Sequence, residues 1–480
     1  MGKLPAVESG GQFHTRRWDT VVLGGALPGL IAAVRLGMSG ARVLVLEEAA
    51  ATGSFLGLRE PFLVSGATTE GILGRCLRAL GIPLIDRHRI GCDPLAYQVA
   101  FPDARLDVGE RQRTCEELVS WRFATRETAD SLLRGLAEAA TAEREAMLRA
   151  PVVRAPRRIP MSSRRTPSNF LAAGTPTNER VGRYARGLPA EVSDASPRVA
   201  SLCAAQTRAL SNLGATAPPP EAAARLLGLA QEGSAMFAGS EHWIHALLRR
   251  RIEALYGEFR LLSDGFRLVS VANQPGVDLA DSSEIWCGRV LLVNAPRSAL
   301  ARVVEQDPTP EILRGPPPTC RRVTVHFRTR RGALPAGMSK RVISVTDPAR
   351  AMHGTNVVTL RVFPNARRDD SVDLVATSVV AADEPDLRAR EAEIEASVAR
   401  LMPFAGHTLE RQKDPAPRWD TDRWLCDPAP GGGWPDTQEA RLSTRPPTWL
   451  LDRAGVGGLG FEGDVLLGWR VGDAVAAELS

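Results

Sequence analysis

The stretch Asp19-Thr-Val-Val-Leu-Gly-Gly-Ala-Leu-Pro-Gly-Leu-Ile-Ala-Ala-Val-Arg-Leu-Gly-Met-Ser-Gly-Ala-Arg-Val-Leu-Val-Leu-Glu47 constrains the fold more than any other part of the chain. Thr20 to Leu23 is a short apolar run of the kind buried on both faces of a parallel sheet. Gly24 permits a tight turn out of that strand, and Gly29 lets the following helix, about Leu27 to Met38, pack close to the sheet. The helix start, with Gly25, Ala26 and Leu27, turns free N–H groups and the positive end of its dipole toward a pyrophosphate. Val43 to Leu46 is the next strand. Glu47 stands at its end, 47 − 24 = 23 residues after the first glycine, where an acid suits the hydroxyls of a ribose. The middle glycine of the fingerprint is Ala26 here, which adds a methyl group where backbone approaches phosphate. Pro28 lies just inside the helix, where its missing N–H costs little. The competing reading is an ordinary strand–helix–strand unit with packing glycines. Strand, helix, second strand and acid all fall where a dinucleotide needs them, which favours the nucleotide.

Composition narrows the class. At 480 residues the chain has room for two or three domains, and 44% hydrophobic with 24% charged residues is ordinary globular usage. The net charge of +5 comes almost entirely from arginine, since the lysines are Lys3, Lys340 and Lys413. The arginines are dispersed and no nucleic-acid reader motif appears, so nucleic acid is not an expected partner. The seven cysteines are widely spread with no Cys-x-x-Cys pair, which argues against a disulfide framework and a structural zinc site and points to a reducing cytoplasm. Arg16-Arg17 before the apolar Val21 to Val34 imitates an export signal, but cleavage there would remove the first element of the fold. Residues 1–17 are expected to be a disordered leader.

Periodicity gives the remaining elements. A helix is expected over Thr69 to Leu80, a hairpin from Tyr97 to Asp107 turning at Pro102 and Asp103, and one mostly helical stretch from Glu116 to Met147. Ala150 to Ser196 is rich in Arg, Pro and Ser. It reads as a solvated loop, with a peripheral membrane contact as the alternative. Glu241 to Tyr256 is a helix, and Glu258 to Leu262 with Phe266 to Val271 a hairpin around Asp264-Gly265. Arg289 to Val293 is an apolar strand. Arg322 to Phe327, Arg341 to Val345, Val357 to Val362 and Val372 to Val380 alternate apolar and polar residues like an antiparallel sheet. Arg388 to Met402 is a helix, and Asp414 to Pro447 an irregular loop.

The C-terminal segment runs from an apolar strand at Trp449 through a glycine-rich loop, Asp452 to Gly460, into an amphipathic helix ending at Leu479. With it the chain resembles the flavin-dependent oxidoreductases of the phytoene desaturase and amine oxidase superfamily. Three islands carry the resemblance: Val21 to Glu47; Asp93-Pro94 through Tyr97-Gln-Val-Ala-Phe-Pro-Asp103 to Leu106-Asp107; and Phe461-Glu462-Gly463-Asp464-Val465 with Gly468. The resemblance implies an α/β fold with two parts. One is a three-layer, Rossmann-like FAD domain built from separated segments 18–100, 236–300 and 440–480. The other is a substrate domain of an antiparallel sheet and helices, 101–235 and 301–439. It implies that Gly24, Gly25, Ala26, Leu27 and Gly29 surround the pyrophosphate, that Glu47, beside Glu48, takes the ribose, and that Glu462, Gly463, Asp464 and Val465 approach the flavin. The family's Gly-Asp pair after the last strand is Asp452-Arg453 here. Together with Ala26, that departure leaves open a chain that kept the fold without the flavin.

The implied reaction is hydride transfer from an apolar small molecule, a polyene or isoprenoid, to FAD, needing apolar walls and no metal. Amine or porphyrinogen oxidation on the same scaffold is one alternative, and a non-catalytic protein with a degenerate cofactor site another. His242 and His245 are spaced as helix-surface or packed histidines more often are than as metal ligands. Lys340 reads as a loop lysine, with a water-holding role near the flavin as the alternative. Trp419, Trp424 and Trp434 are candidates to line an apolar cavity or to anchor their loop. No catalytic side chain is singled out.

Overall fold

The computed structural model describes Leu4 and residues 14–48, 60–68, 71–149, 196–237, 244–262, 265–279, 284–304, 308–365, 370–413, 419, 421–427 and 440–480. The segment 150–195 and residues His242 and Trp434 lie outside the described residues. Among the described residues no helix is long and apolar enough to cross a membrane, the seven cysteines are free thiols, and no group of His, Cys, Asp and Glu is placed to hold a metal.

Two eight-stranded sheets organise the chain. In the first, Pro447–Leu450, Glu284–Val293, His14–Leu23, Val43–Glu47 and Glu258–Leu261 run parallel in that order. Their side chains divide cleanly. Val22, Val45 and Leu292 face one core with the helices Leu27–Met38, Ile72–Ala79, Ile244–Ala254 and Phe461–Leu479. Val21, Leu23, Leu44, Leu46, Leu291 and Val293 face the other, under the antiparallel strands Phe266–Val271 and Gln274–Leu279. A sheet covered on both faces requires the unbroken apolar runs seen in its strands.

The second sheet takes the order Glu410–Gln412, Cys320–Arg330, Ser371–Ala381, Val357–Pro364, Arg341–Val345, Leu95–Ala100 and Arg105–Gly109, with Trp424–Leu425 also on Cys320–Arg330. The four strand segments expected between Arg322 and Val380 are all present in it, and helix Leu387–Leu401 packs on it through Ile394 and Val398. The other helices of this half, Arg126–Arg149, Pro197–Leu210 and Pro220–Leu229, cover the strands that begin at Leu95 and Arg341.

Several sequence expectations are corrected. The first strand begins at His14, not Thr20, and Leu4 is buried in the same core cluster as Trp18, so the described part of residues 1–17 is strand and core residue rather than a disordered leader. Leu95–Ala100 belongs to the second sheet, where it pairs parallel with Arg341–Val345, and the first part of that domain therefore begins before residue 101. The helix expected over 116–147 is two helices, Arg111–Ser120 and Arg126–Arg149, broken at Arg122 with φ of 58°. Glu258–Leu261 is not half of a hairpin. It joins Val43–Glu47 in parallel, and Phe266–Val271 turns instead at Ala272 and Asn273, whose φ angles of 49° and 64° match the right-handed twist of a two-residue hairpin.

The first and last helices pack directly on each other. A Cβ on Gly468 would lie 2.5 Å from the Pro28 carbonyl oxygen and 2.9 Å from Ile31 Cβ, and one on Gly472 would press on Ala32 and Arg35. Arg35 Nε, in turn, donates to Asp473 at 2.5 Å. Gly468→Ala is expected to force the helices apart and cost about 1–3 kcal/mol, the usual range for overpacking. Urea denaturation measures this, and an unchanged midpoint would mean that the helices are not in contact.

Candidate functional site

The carboxyl ends of the parallel strands carry the turn expected at the phosphate. Gly24 has φ of 112°, and a Cβ on it would meet the Asn294 carbonyl oxygen at 2.5 Å. Asn294 follows Glu284–Val293 and straps the turn: its Nδ2 donates to the carbonyls of Gly24 at 3.1 Å and Ala26 at 3.0 Å. Gly25 sits against Glu47 Oε2, 2.6 Å from where its Cβ would be, and Gly29 against the Asn294 amide. The glycines are thus demanded by the chain's own packing, ligand or none.

The N–H groups speak more directly to a ligand. Gly25 and Ala26 are buried, and no acceptor among the described residues takes either backbone N–H. Ala26 caps the helix without a side-chain hydrogen bond. Buried unpaired donors at a helix start are the arrangement that phosphate oxygens satisfy. This end of the site fits the pyrophosphate of a dinucleotide, and the Ala26 methyl lies within the buried turn.

The two acids after the second strand are already engaged. Glu47 is buried, and its Oε1 accepts from Arg249 Nη1, whose guanidinium lies 3.9 Å from the centre of the Phe259 ring. Glu48 is also buried and accepts the Trp419 backbone N–H at 3.1 Å. Trp419 itself is buried, edge-on to Phe266 at 6.1 Å. A ribose at Glu47 would share that carboxylate with Arg249.

At the start of the last helix, arginines hold the acids. Glu462 and Arg225 are both fully buried and meet as a fork, with Nε to Oε2 at 2.9 Å and Nη2 to Oε1 at 2.8 Å. Asp464 takes a second fork from Arg453, at 2.7 and 2.8 Å, and a bond from Asn212 Nδ2 at 3.1 Å. Burial pushes both carboxyls up, against the pull of their arginines. It also lifts Asp452, which accepts the Ala454 N–H at 2.9 Å. Gly463 is pressed on the Val456 carbonyl, and Val465 is wholly buried in the core shared with the first helix. In this loop backbone and helix start, rather than carboxylates, are left to meet a ligand.

A cavity of about 630 Å³ opens between these helix starts and the second sheet. Leu27 walls it from the first helix, Phe461 and Asp464 from the last, and Thr324, Arg361 and Thr377 from the sheet. A second cavity of about 340 Å³ adjoins it, with Asp452 on its wall and Asn212 and Arg453 shared between the two. Of the expected residues, Leu27, Asp464 and Asp452 thus reach a cavity wall. Lys340 is exposed, and Trp424 walls the smaller cavity.

Sequence reasoning missed the polar wall of the larger cavity. His245 is buried, and its Nδ1 lies 3.0 Å from Glu60 Oε1, which also accepts the His245 backbone N–H at 3.0 Å. Its Nε2 has no partner among the described residues. Arg361 holds the same segment by donating to the Glu60 carbonyl. Arg208 and Arg322 complete this wall. Glu60 and His245 come from unrelated segments, and no spacing joins them in the sequence.

The buried fork at Glu462 gives a clean test. Arg225→Met strands a buried carboxylate and is expected to cost about 3–5 kcal/mol, whereas Arg225→Met with Glu462→Leu recovers most of that loss. Equilibrium urea unfolding of the three proteins reads this, and equal losses in single and double variants would contradict the pairing.

No family model matches the chain, and no curated protein sequence does. Solved structures do. An oxidoreductase from Methanosarcina mazei is 15% identical over 95% of this chain and 99% of that one, with a TM-score of 0.55. A triple mutant of putrescine oxidase with redesigned cofactor binding is 16% identical over 97% of this chain and all of that one, with a TM-score of 0.54. Cyclohexylamine oxidase from Brevibacterium oxydans is 13% identical over 96% and 99% of the two chains, with a TM-score of 0.50. At these identities the likeness is one of fold. The chain shares their two-part architecture, a parallel Rossmann-like sheet with a second, largely antiparallel sheet set against it.

Proposed function

We propose that this protein is an FAD-dependent oxidoreductase that oxidises a small molecule with an apolar body. The observation that carries the proposal is the shared cavity. Leu27, at the start of the first helix, and Phe461 and Asp464, at the start of the last, wall one space with the second sheet. The fold shared with oxidoreductases and the two unpaired N–H groups at Gly25 and Ala26 support it. In this reading the turn at Gly24 to Gly29 holds the pyrophosphate and the backbone at Gly463 to Val465 meets the flavin. A bound flavin supplies two-electron oxidation by accepting a hydride.

The chain supplies enclosure and proton handling. Phe62, Leu63, Leu226 and Val357 give the cavity apolar wall for a hydrocarbon body. Glu60 takes the Nδ1 side of His245, and the ring's other nitrogen, Nε2, is buried in the cavity wall with no partner among the described residues. At that atom the imidazole can take a proton from a substrate hydroxyl or amine, or return one. His245→Gln is expected to slow turnover by about 10²- to 10⁴-fold while leaving cofactor content unchanged. Steady-state rates and the visible spectrum of the variant check both halves, and full activity would remove His245 from the reaction.

A second reading has its own support: one oxygen of Glu47 and one of Glu48 are taken by Arg249 and the Trp419 amide, and Ala26 stands at the fingerprint's middle glycine. These features suit a protein that kept the fold and lost the cofactor. Purification separates the two. The oxidoreductase reading expects an oxidised-flavin absorbance at one flavin per chain, or its appearance on adding FAD. A colourless protein that ignores FAD would overturn it.

A further inference from the structure

The arginines of the larger cavity are not all accounted for by carboxylates. Arg453 is satisfied by Asp464 and Asp422, which it binds at 2.7 and 3.1 Å. Arg322 is not. Its Nη1 donates to the Asp422 backbone carbonyl at 3.0 Å and its Nη2 to Asn212 Oδ1 at 2.7 Å, both neutral acceptors, and no carboxylate among the described residues pairs with it. Burial, with Arg453 beside it, pushes the Arg322 guanidinium down to about 10 against the pull of the Asp422 and Asp464 carboxylates, neither of which it hydrogen-bonds, so it remains charged at neutral pH. Arg208 is in the same position. It bonds the carbonyls of Leu213 and Gly214 and lies beside the Cys320 thiol, and its Nε is buried with no partner. The two guanidiniums are near enough for Arg208 to disfavour the charge on Arg322.

Two half-buried cations whose direct hydrogen-bond acceptors are all neutral favour an anion beside them. Each guanidinium has five N–H donors in a planar fork, and each leaves several unspent. The wall as a whole points the same way, with seven Arg and Lys side chains against four Asp and Glu. We propose that Arg208 and Arg322 form an anion subsite that binds the carboxylate or phosphate group of the substrate, with its apolar body lying along the rest of the cavity. Asn212 is the positioning residue: it accepts from Arg322 and donates to Asp464, fixing the fork relative to the start of the last helix. A protonated amine would instead meet an excess of like charge.

This inference deepens the oxidoreductase reading, and its test separates the two. Binding of decanoate, decyl phosphate and the neutral decanol is measured by calorimetry on the purified protein, with FAD affinity measured in parallel. The expected result is that one or both anions bind at least tenfold more tightly than decanol, and that Arg322→Met removes the difference while Arg322→Lys keeps most of it. Thermal melts of both variants establish that they are folded. FAD affinity is expected to be unchanged in Arg322→Met. If Arg322→Met weakens FAD and leaves decanoate and decyl phosphate unaffected, the anion is the cofactor's own phosphate and the substrate assignment is overturned. If neither anion outbinds decanol, the subsite is overturned outright. Tight anion binding by a colourless protein that ignores FAD would keep the subsite and remove only the redox reading.

Discussion

The close approach of the first and last helices is the constraint on which the rest of the site depends. Gly468 and Gly472 present no side chain to Pro28, Ile31, Ala32 and Arg35, so two helices from opposite ends of the chain lie backbone to backbone. Their starts then fall at one edge of the parallel sheet, where the turn at Gly24 and the loop before Phe461 face the second sheet. Any side chain in that seam would move the helix starts apart and open the space between them. Interiors packed to crystal-like density do not absorb such a change locally.

Arginine fixes what the glycines bring together. Arg225 spans from Glu462 to the Ala140 carbonyl and ties the last helix to the helical cover of the second sheet. Arg453 links Asp464 to the Thr421 carbonyl and Asp422. Each charge here is expensive to bury and is tolerated because its partners are complete. The contrast with Arg208 and Arg322, whose acceptors are all neutral, is what makes those two informative. The same logic separates the two ends of the crevice at the carboxyl ends of the parallel strands. Donors at Gly25 and Ala26 await an acceptor, whereas Glu47 and Glu48 each have one oxygen already engaged.

Much of the frame was legible because it rests on local pattern. The apolar runs at Thr20 to Leu23 and Val43 to Leu46, the glycine spacing between them and the alternation from Arg322 to Val380 each follow from burial on two faces or one. What escaped was non-local. Leu95–Ala100 pairs in parallel with a strand more than two hundred residues away, and nothing in its own alternation names that partner. Asp264-Gly265 has the composition of a hairpin turn, but Glu258–Leu261 pairs with the Glu47 strand in the core sheet and so leaves the hairpin to Ala272-Asn273. The hold of Arg249 on Glu47, of the Trp419 amide on Glu48 and of Glu60 on His245 all join segments that only tertiary packing brings together. A local motif marks candidates such as Gly24 to Gly29, whereas the cavity's polar wall is gathered from segments that no local pattern connects.

The central claim is that both ends of the chain grip one dinucleotide. Amide hydrogen exchange with and without saturating FAD tests it most directly. The account predicts slowed exchange in two separated segments together, Gly25 to Leu27 and Phe461 to Val465, with the same dependence on FAD concentration. Protection confined to one of them, or absent from both at saturation, would contradict it.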